Sequence, residues 1–94
     1  MKFKKILEEN KYDKDIHKDY KHTIWELEKN NLIARIECFK IYGIRTEYVG
    51  MIYKKENNKL IPQLNFNKKS YWKKGIENQL FNLLEVAQWI KTNK

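Results

Sequence analysis

Residues 23–41 read TIWELEKNNLIARIECFKI, two runs rich in apolar side chains on either side of Asn30-Asn31. Asparagine tolerates the positive φ angles that a two-residue β-hairpin turn requires, so the segment predicts a pair of antiparallel strands. Counting outward from the turn sets Trp25 opposite Ile36 and Leu27 opposite Ala34, and the two-residue period of a strand puts these side chains on one face. The segment therefore predicts the centre of a sheet with one apolar face.

Two further turn signals, Tyr42-Gly43 and Asn57-Asn58, extend this hairpin into a meander. Four strands are expected, at residues 23–29, 32–41, 44–55 and 60–67. The second turn would set Ile36 opposite Val49, and the third would set Val49 opposite Phe66. The continuous apolar face that results consists of Trp25, Leu27, Ala34, Ile36, Cys38, Val49, Met51, Tyr53, Pro62, Leu64 and Phe66.

The two ends of the chain have the spacing of helices. Apolar side chains of residues 75–93 fall within an arc of about 120°, which predicts a helix packed on the apolar face; they are Ile76, Leu80, Leu83, Leu84, Ala87 and Ile90. Phe3, Ile6 and Leu7 also recur at helical spacing. The expected fold is therefore α+β: a four-stranded antiparallel meander with a C-terminal helix packed on one face and a short N-terminal helix.

Length and composition fit one domain. A chain of 94 residues, 41% of them apolar, is expected to form one core over residues 1–94, with a charged helical segment 1–22, a β-meander 23–67 and a C-terminal helix 70–93. Apolar runs stay below the roughly 18–20 residues of a membrane span, and no signal-peptide stretch begins the chain. We therefore expect a cytoplasmic protein with no membrane partner. Cys38 is the single cysteine, which excludes an internal disulfide.

The charge of +8 favours a nucleic-acid partner, because a basic surface displaces counterions from phosphates. Arg35 and Arg45 are the only arginines, and arginine is the residue best suited to bidentate contacts with guanine. Sequence-specific reading of DNA is therefore not expected. An A/T-rich genome also encodes many lysines, asparagines and isoleucines, so codon usage is an alternative source of the charge.

The candidate phosphate-binding segment is Lys68-Lys69-Ser70-Tyr71-Trp72-Lys73-Lys74, at the start of the predicted helix. An anion there would be held by lysine side chains and by free N–H groups together, with Ser70 as the N-cap and the two aromatic rings against a sugar or base. The alternative is a solvated lysine cluster whose aromatic residues anchor the loop. Lys54 and Lys55, near the third turn, are further candidates.

Two surfaces are left after the core is assigned. Three apolar side chains of the helix lie off its stripe: Phe81, Val86 and Trp89. Their position predicts an interface with another protein or with a second copy of the chain in a homodimer, and burial under the N-terminal segment is the alternative. On the second face of the sheet, Phe39 and Tyr48 could stack on bases. The isoleucines of that face favour instead a cover formed by the N-terminal helix, and a protein interface is the third possibility.

Catalytic motifs are missing from the sequence. His17 and His22 lie among three aspartates, at spacings that match no metal-ligand motif, and the chain has no glycine-rich phosphate loop and no supported nucleophile and base pair. We expect no catalytic residue, no metal and no cofactor, and a binding protein rather than an enzyme.

Residues 25–55 resemble the meander of RelE/HigB-type ribosome-dependent mRNA-cleaving toxins, through Trp25-Glu26-Leu27, Arg35, Gly50 and Lys54-Lys55. The resemblance implies an RNA-cleaving enzyme with Arg35, Arg45, Lys54 and Lys55 as its candidate residues. Glu28 stands where that family usually has a basic residue. Four strands followed by a helix also resemble a single-stranded-DNA-binding fold that works as a dimer.

In size and A/T-driven composition the chain is similar to accessory proteins of phages and mobile elements, including anti-CRISPRs, which implies docking on a host nucleoprotein. Our leading hypothesis is a non-catalytic binding protein of a phage or mobile element that engages nucleic acid, or the nucleic-acid-binding site of a host nucleoprotein, through residues 68–74. A protein-docking inhibitor that uses Phe81, Val86 and Trp89 is the second hypothesis, and the RNA-cleaving toxin is the third.

Overall fold

The structure, a computed structural model, describes residues 2–63 and 68–92, with side chains through residue 85. Its elements are β1 (Lys4–Asp13), β2 (Lys18–Lys29), β3 (Leu32–Ile41), β4 (Tyr48–Glu56), β5 (Lys59–Pro62), β6 (Lys68–Ser70) and α1 (Lys73–Thr92). The strands form one antiparallel sheet in the order β1-β2-β3-β4-β5, and β6 pairs with β4. The α+β class and the C-terminal helix are confirmed, and the described residues contain six strands where four were expected.

The Asn30-Asn31 hairpin forms as predicted. Both asparagines have positive φ angles, 48° and 69°. Trp25 lies opposite Ile36 and Leu27 opposite Ala34 in the β2–β3 ladder. Leu27, Ala34 and Ile36 are buried, and Trp25 packs against them. The centre of the sheet therefore has the predicted register.

The β3–β4 register is one residue away from the prediction. Ile36 pairs with Gly50 instead of Val49. The reason is the connection: residues 42–47 separate the two strands, and Ile44 N–H donates to the carbonyl of Ile41 at 3.1 Å. This loop is longer than a two-residue turn, so counting outward from Tyr42-Gly43 gives the wrong partner.

A shift of one residue exchanges the two faces of a strand. Val49, Met51 and Tyr53 were predicted in the core and lie on the opposite face of the sheet, and Pro62 follows them because it pairs with Tyr53. Ile52 takes their place and is fully buried.

The third turn forms at Asn57-Asn58, with φ angles of 51° and 64°, but the strand after it is shorter than predicted. β5 ends at Pro62, which has no N–H to donate to a neighbouring strand. β6 then pairs along the first part of β4, where Val49 lies opposite Lys69 and not Phe66. Phe66, like Leu64, lies outside the described residues.

The prediction of an N-terminal helix is wrong, because residues 4–13 form strand β1 at the edge of the sheet. Phe3, Ile6 and Leu7 have helical spacing, but a short helix is marginal by itself, whereas pairing with β2 satisfies the backbone groups on one side of residues 4–13. Ile6 is the extra residue of a bulge between Lys5 and Leu7. The spacing that indicated a helix marks an irregular strand.

Helix α1 packs on β3 and β4 through the predicted stripe. Its fully buried side chains are Ile76, Leu80 and Leu84. A Cβ atom at Gly50 would lie only 2.8 Å from Cγ1 of Ile76, so the absence of a side chain at this position lets the helix approach the sheet. The side chains of Ala87 and Ile90 lie outside the described part.

The sheet has a second side, opposite α1, which we name the open face. No element of residues 2–63 or 68–92 covers it, so the predicted cover by an N-terminal helix is wrong. The described residues contain no helix that is both long and apolar enough to cross a membrane.

Candidate nucleic-acid interface

The basic segment predicted from the sequence is divided between the two faces of the sheet. Lys68 pairs with Gly50 and Ser70 with Tyr48, both on the side that carries α1. Lys69 lies between them and pairs with Val49, so its side chain points to the open face. Strand alternation therefore removes Lys69 from the group formed by the rest of the segment.

A short turn joins β6 to the helix. The Ser70 hydroxyl accepts a hydrogen bond from Trp72 N–H at 3.0 Å and donates one to the Trp72 carbonyl at 3.2 Å. The same carbonyl accepts from Ile76 N–H at 3.1 Å, in the first turn of α1. Ser70 was expected to cap the helix directly; the structure places it three residues before Lys73, the first residue of α1, where it fixes the backbone of Trp72.

Two aromatic side chains at this turn are exposed. Tyr71 is 54% and Trp72 66% exposed. The guanidinium carbon of Arg45, from the loop after β3, lies 4.2 Å from the centre of the Tyr71 ring. A groove of about 470 Å³ runs along the turn, lined by Tyr48, Tyr71, Trp72, Lys73, Lys74 and Glu77. Flat rings next to cationic side chains are the elements of a stacking platform for nucleic-acid bases.

The two lysines that begin α1 have different environments. The Lys73 ammonium lies 2.5 Å from Glu77 Oε1 and 4.7 Å from the centre of the Trp25 ring. Its charge is therefore compensated within the fold. Lys74 is exposed on the same groove and is the better placed of the two to meet a phosphate.

Two further lysines on the α1 side were not predicted as site residues from the sequence. Lys21 and Lys40 lie directly opposite each other in the β2–β3 ladder, and both line a second groove of about 430 Å³. Lys21 also lies 3.3 Å from Glu8, and this contact, more than that of Lys5, lowers the pKa of the Glu8 carboxyl. Extending the register of the Asn30-Asn31 hairpin by two residues beyond Thr23 would have found the pair.

Cys38 lies between the two grooves. It is paired with Tyr48 of the first groove and is two residues from Lys40 of the second. Burial raises the pKa of its thiol, while a hydrogen bond with Thr23 and the charges of Lys40 and Lys73 act in the opposite direction.

Lys54 and Lys55 are far from this region. They lie four and five residues beyond Gly50 on β4, a separation of roughly 13–17 Å along the strand. Both are exposed in ion pairs, Lys54 with Glu56 at 3.8 Å and Lys55 with Glu28 at 3.6 Å. The structure does not bring them together with the residues around Trp72.

The predicted protein interface on the helix is only partly described. The Phe81 ring packs edge-on against Phe3 at 5.4 Å and against the core, so it stabilises the contact between the N-terminus and α1. Val86 and Trp89 belong to α1, but their side chains lie outside the described residues.

The open face mixes charges of both signs. Arg35 binds Glu26 and lies 5.1 Å from the Tyr53 ring. Phe39, 48% exposed, stacks on His22, whose Nε2 lies 2.5 Å from Glu37. The predicted pair of stacking residues does not form here, because Tyr48 lies on the α1 side.

The candidate residues implied by the toxin resemblance are dispersed. Arg35 is on the open face, Arg45 is at Tyr71, and Lys54 and Lys55 are on opposite faces at the far end of β4. Within the described residues, no three histidine, cysteine or acidic side chains come together as a metal site. Comparison of the chain with protein-family models, with curated proteins and with solved structures gives no match.

Proposed function

We propose that this chain is a small non-catalytic protein that binds nucleic acid through one end of the sheet. The residues concerned, named together the Trp72 surface, are Lys21, Lys40, Arg45, Tyr71, Trp72 and Lys74. The observation that supports the proposal most is the exposure of Tyr71 and Trp72 beside the cations of Arg45 and Lys74. The origin of the protein in a phage or mobile element stays a prediction from its composition.

The energetic basis has two parts. Stacking of a base on an exposed aromatic ring contributes about 1–3 kcal/mol and is tolerant of sequence. Each lysine that contacts a phosphate adds a salt-dependent gain through counterion release. Both parts suit a chain that has 18 lysines and two arginines, because neither needs bidentate reading of a base edge.

The test is a salt titration of binding to a fluorescein-labelled oligonucleotide, followed by anisotropy. The double variant Lys40→Ala with Lys74→Ala should reduce the slope of log K against log salt by about 1.4–1.8, since each phosphate contact contributes about 0.7–0.9. The matched control is Lys54→Ala with Lys55→Ala, which removes the same charge from exposed positions at the other end of β4.

An equal loss of slope in both double variants would show that total charge, and not this surface, determines binding. Failure of the unmodified chain to bind at low salt would refute the function. It would favour the protein-docking alternative, which was predicted on Phe81, Val86 and Trp89.

A further inference from the structure

The two grooves share no lining residue among the residues that the structure describes. A row of paired residues on the α1 side lies between them, and its central members, Cys38 and Thr23, are buried. Ser70, Tyr48, Cys38 and Thr23 are successive partners across β6, β4, β3 and β2. Three strand spacings of about 4.8 Å separate Ser70 from Thr23, so the path between them is about 14 Å long. Trp72 stands two residues beyond Ser70, at one end, and the Lys21 and Lys40 pair stands at the other.

The two positive charges of the Lys21 and Lys40 pair have one carboxylate, that of Glu8, close to them. Like charges directly opposite each other in an antiparallel pair are destabilising. Glu8 compensates Lys21 at 3.3 Å, and Lys40 is exposed on the same groove. Lys40 is therefore the lysine of the pair that is better placed to meet a phosphate, so this end of the path suits the backbone of a nucleic acid.

The aromatic end selects for an unpaired base. Within a duplex, base faces are covered by their neighbours, and a protein ring reaches them only after unstacking. The Trp72 ring is 66% exposed, at a turn where Ser70 holds its backbone. A free base can lie on this ring at no cost of unstacking, whereas the interior of a duplex offers it only sugar and phosphate.

We propose that the ligand of the Trp72 surface is single-stranded nucleic acid, with one base stacked on Trp72 and the following phosphates crossing the sheet to Lys40 and Lys21. This inference rests on the proposed function and adds the strandedness and the direction of the path. An oligonucleotide must be long enough to span about 14 Å for both ends of the path to contribute.

The experiment compares oligothymidylates of two and eight nucleotides with a long duplex, in which terminal base pairs are few, at one fixed low salt concentration. The eight-nucleotide strand should bind more tightly than the duplex. Trp72→Ala should weaken its binding about 5- to 150-fold, the range expected for loss of one stacked base. Phe39→Ala removes an exposed aromatic ring from the open face and should leave the affinity unchanged. Circular dichroism checks that each variant is folded.

Lys40→Ala tests the path itself. It should weaken binding of the eight-nucleotide strand and leave the dinucleotide unaffected, because a dinucleotide stacked on Trp72 does not reach the lysine pair. Equal affinity for the eight-nucleotide strand and the duplex, or normal binding by Trp72→Ala, would overturn the inference. The proposed function would still stand in that case, provided that binding remained dependent on salt. A Lys40→Ala effect that is independent of length would overturn the path. Absence of all binding would refute both proposals.

Discussion

Gly50 determines how closely α1 approaches the sheet, and its substitution gives a direct test of the β4 register. A Cβ atom at this position would lie 2.8 Å from Cγ1 of Ile76, 3.0 Å from Cδ1 of Leu80 and 3.1 Å from Cδ1 of Ile76. Carbon atoms at optimal separation are about 3.5–4.0 Å apart. Gly50→Ala therefore requires a displacement of about 0.5–1 Å between the helix and the strand.

Two effects of opposite sign determine how much Gly50→Ala changes the free energy of unfolding. Overpacking of a core costs about 1–3 kcal/mol, whereas replacing a glycine within a strand by alanine returns about 0.5–1 kcal/mol. Ile76 and Leu80 are fully buried, and a β-branched side chain such as Ile76 has one strongly preferred rotamer in a helix, so the clash is not relieved by a side-chain rotation. We expect Gly50→Ala to lower the free energy of unfolding by about 1 kcal/mol and Gly50→Val by more.

Urea denaturation and thermal melting measure the effect, and about 1 kcal/mol corresponds to a fall of about 4–8 °C in Tm for a domain of this size. Gly75→Ala is the matched control, because its Cβ would meet a ring carbon of Trp72 at 3.1 Å, on an exposed side chain that can move. It should be neutral or stabilising. A Gly50→Val variant as stable as the unmodified chain would refute the register that places Gly50 beneath the helix.

Two further predictions concern charged and titratable groups. Arg35→Gln should lower the free energy of unfolding by about 1–2 kcal/mol, because it leaves the part-buried Glu26 carboxylate without its partner. The control Lys55→Gln breaks the exposed pair with Glu28 and should change the free energy of unfolding by less than about 0.5 kcal/mol. Equal effects of the two substitutions in urea denaturation would contradict the burial of the Arg35–Glu26 pair. Burial raises the pKa of the Cys38 thiol above its unfolded value, so its contribution to stability is complete below the unfolded pKa of about 8.5 and is lost as pH rises through the folded pKa. The stability difference between the unmodified chain and Cys38→Ala should therefore shrink from pH 7 to about pH 10, and a difference that stays constant with pH would show that the thiol is not desolvated.

The sequence predicts the parts of the fold whose geometry is local. The Asn30-Asn31 turn fixes the β2–β3 register because two residues leave no freedom in the count. The same method fails after Ile41, where six residues separate the strands and the register depends on the tertiary contact of Gly50 with α1. It fails also at residues 4–13, where pairing with β2 overrides a weak helical pattern.

The candidate site divides in the same way. Tyr71, Trp72 and Lys74 were identified because they are adjacent in the chain, and the Lys21 and Lys40 pair follows from the first hairpin once its register is extended. The position of Arg45 over Tyr71 depends on the path of a long loop that is not determined by any local pattern. Ion pairing of Lys73 with Glu77 could have been expected, since oppositely charged residues four positions apart are neighbours on a helix.

The bulge at Ile6 has a consequence for behaviour at high concentration. In the described part of the chain, β1 has a neighbouring strand on one side only, and such an outer strand can template the addition of strands from other molecules. The extra residue interrupts the regular spacing of the outward N–H and C=O groups of β1. The bulge therefore makes β1 a poorer template for edge-to-edge addition of a strand than a regular edge strand would be.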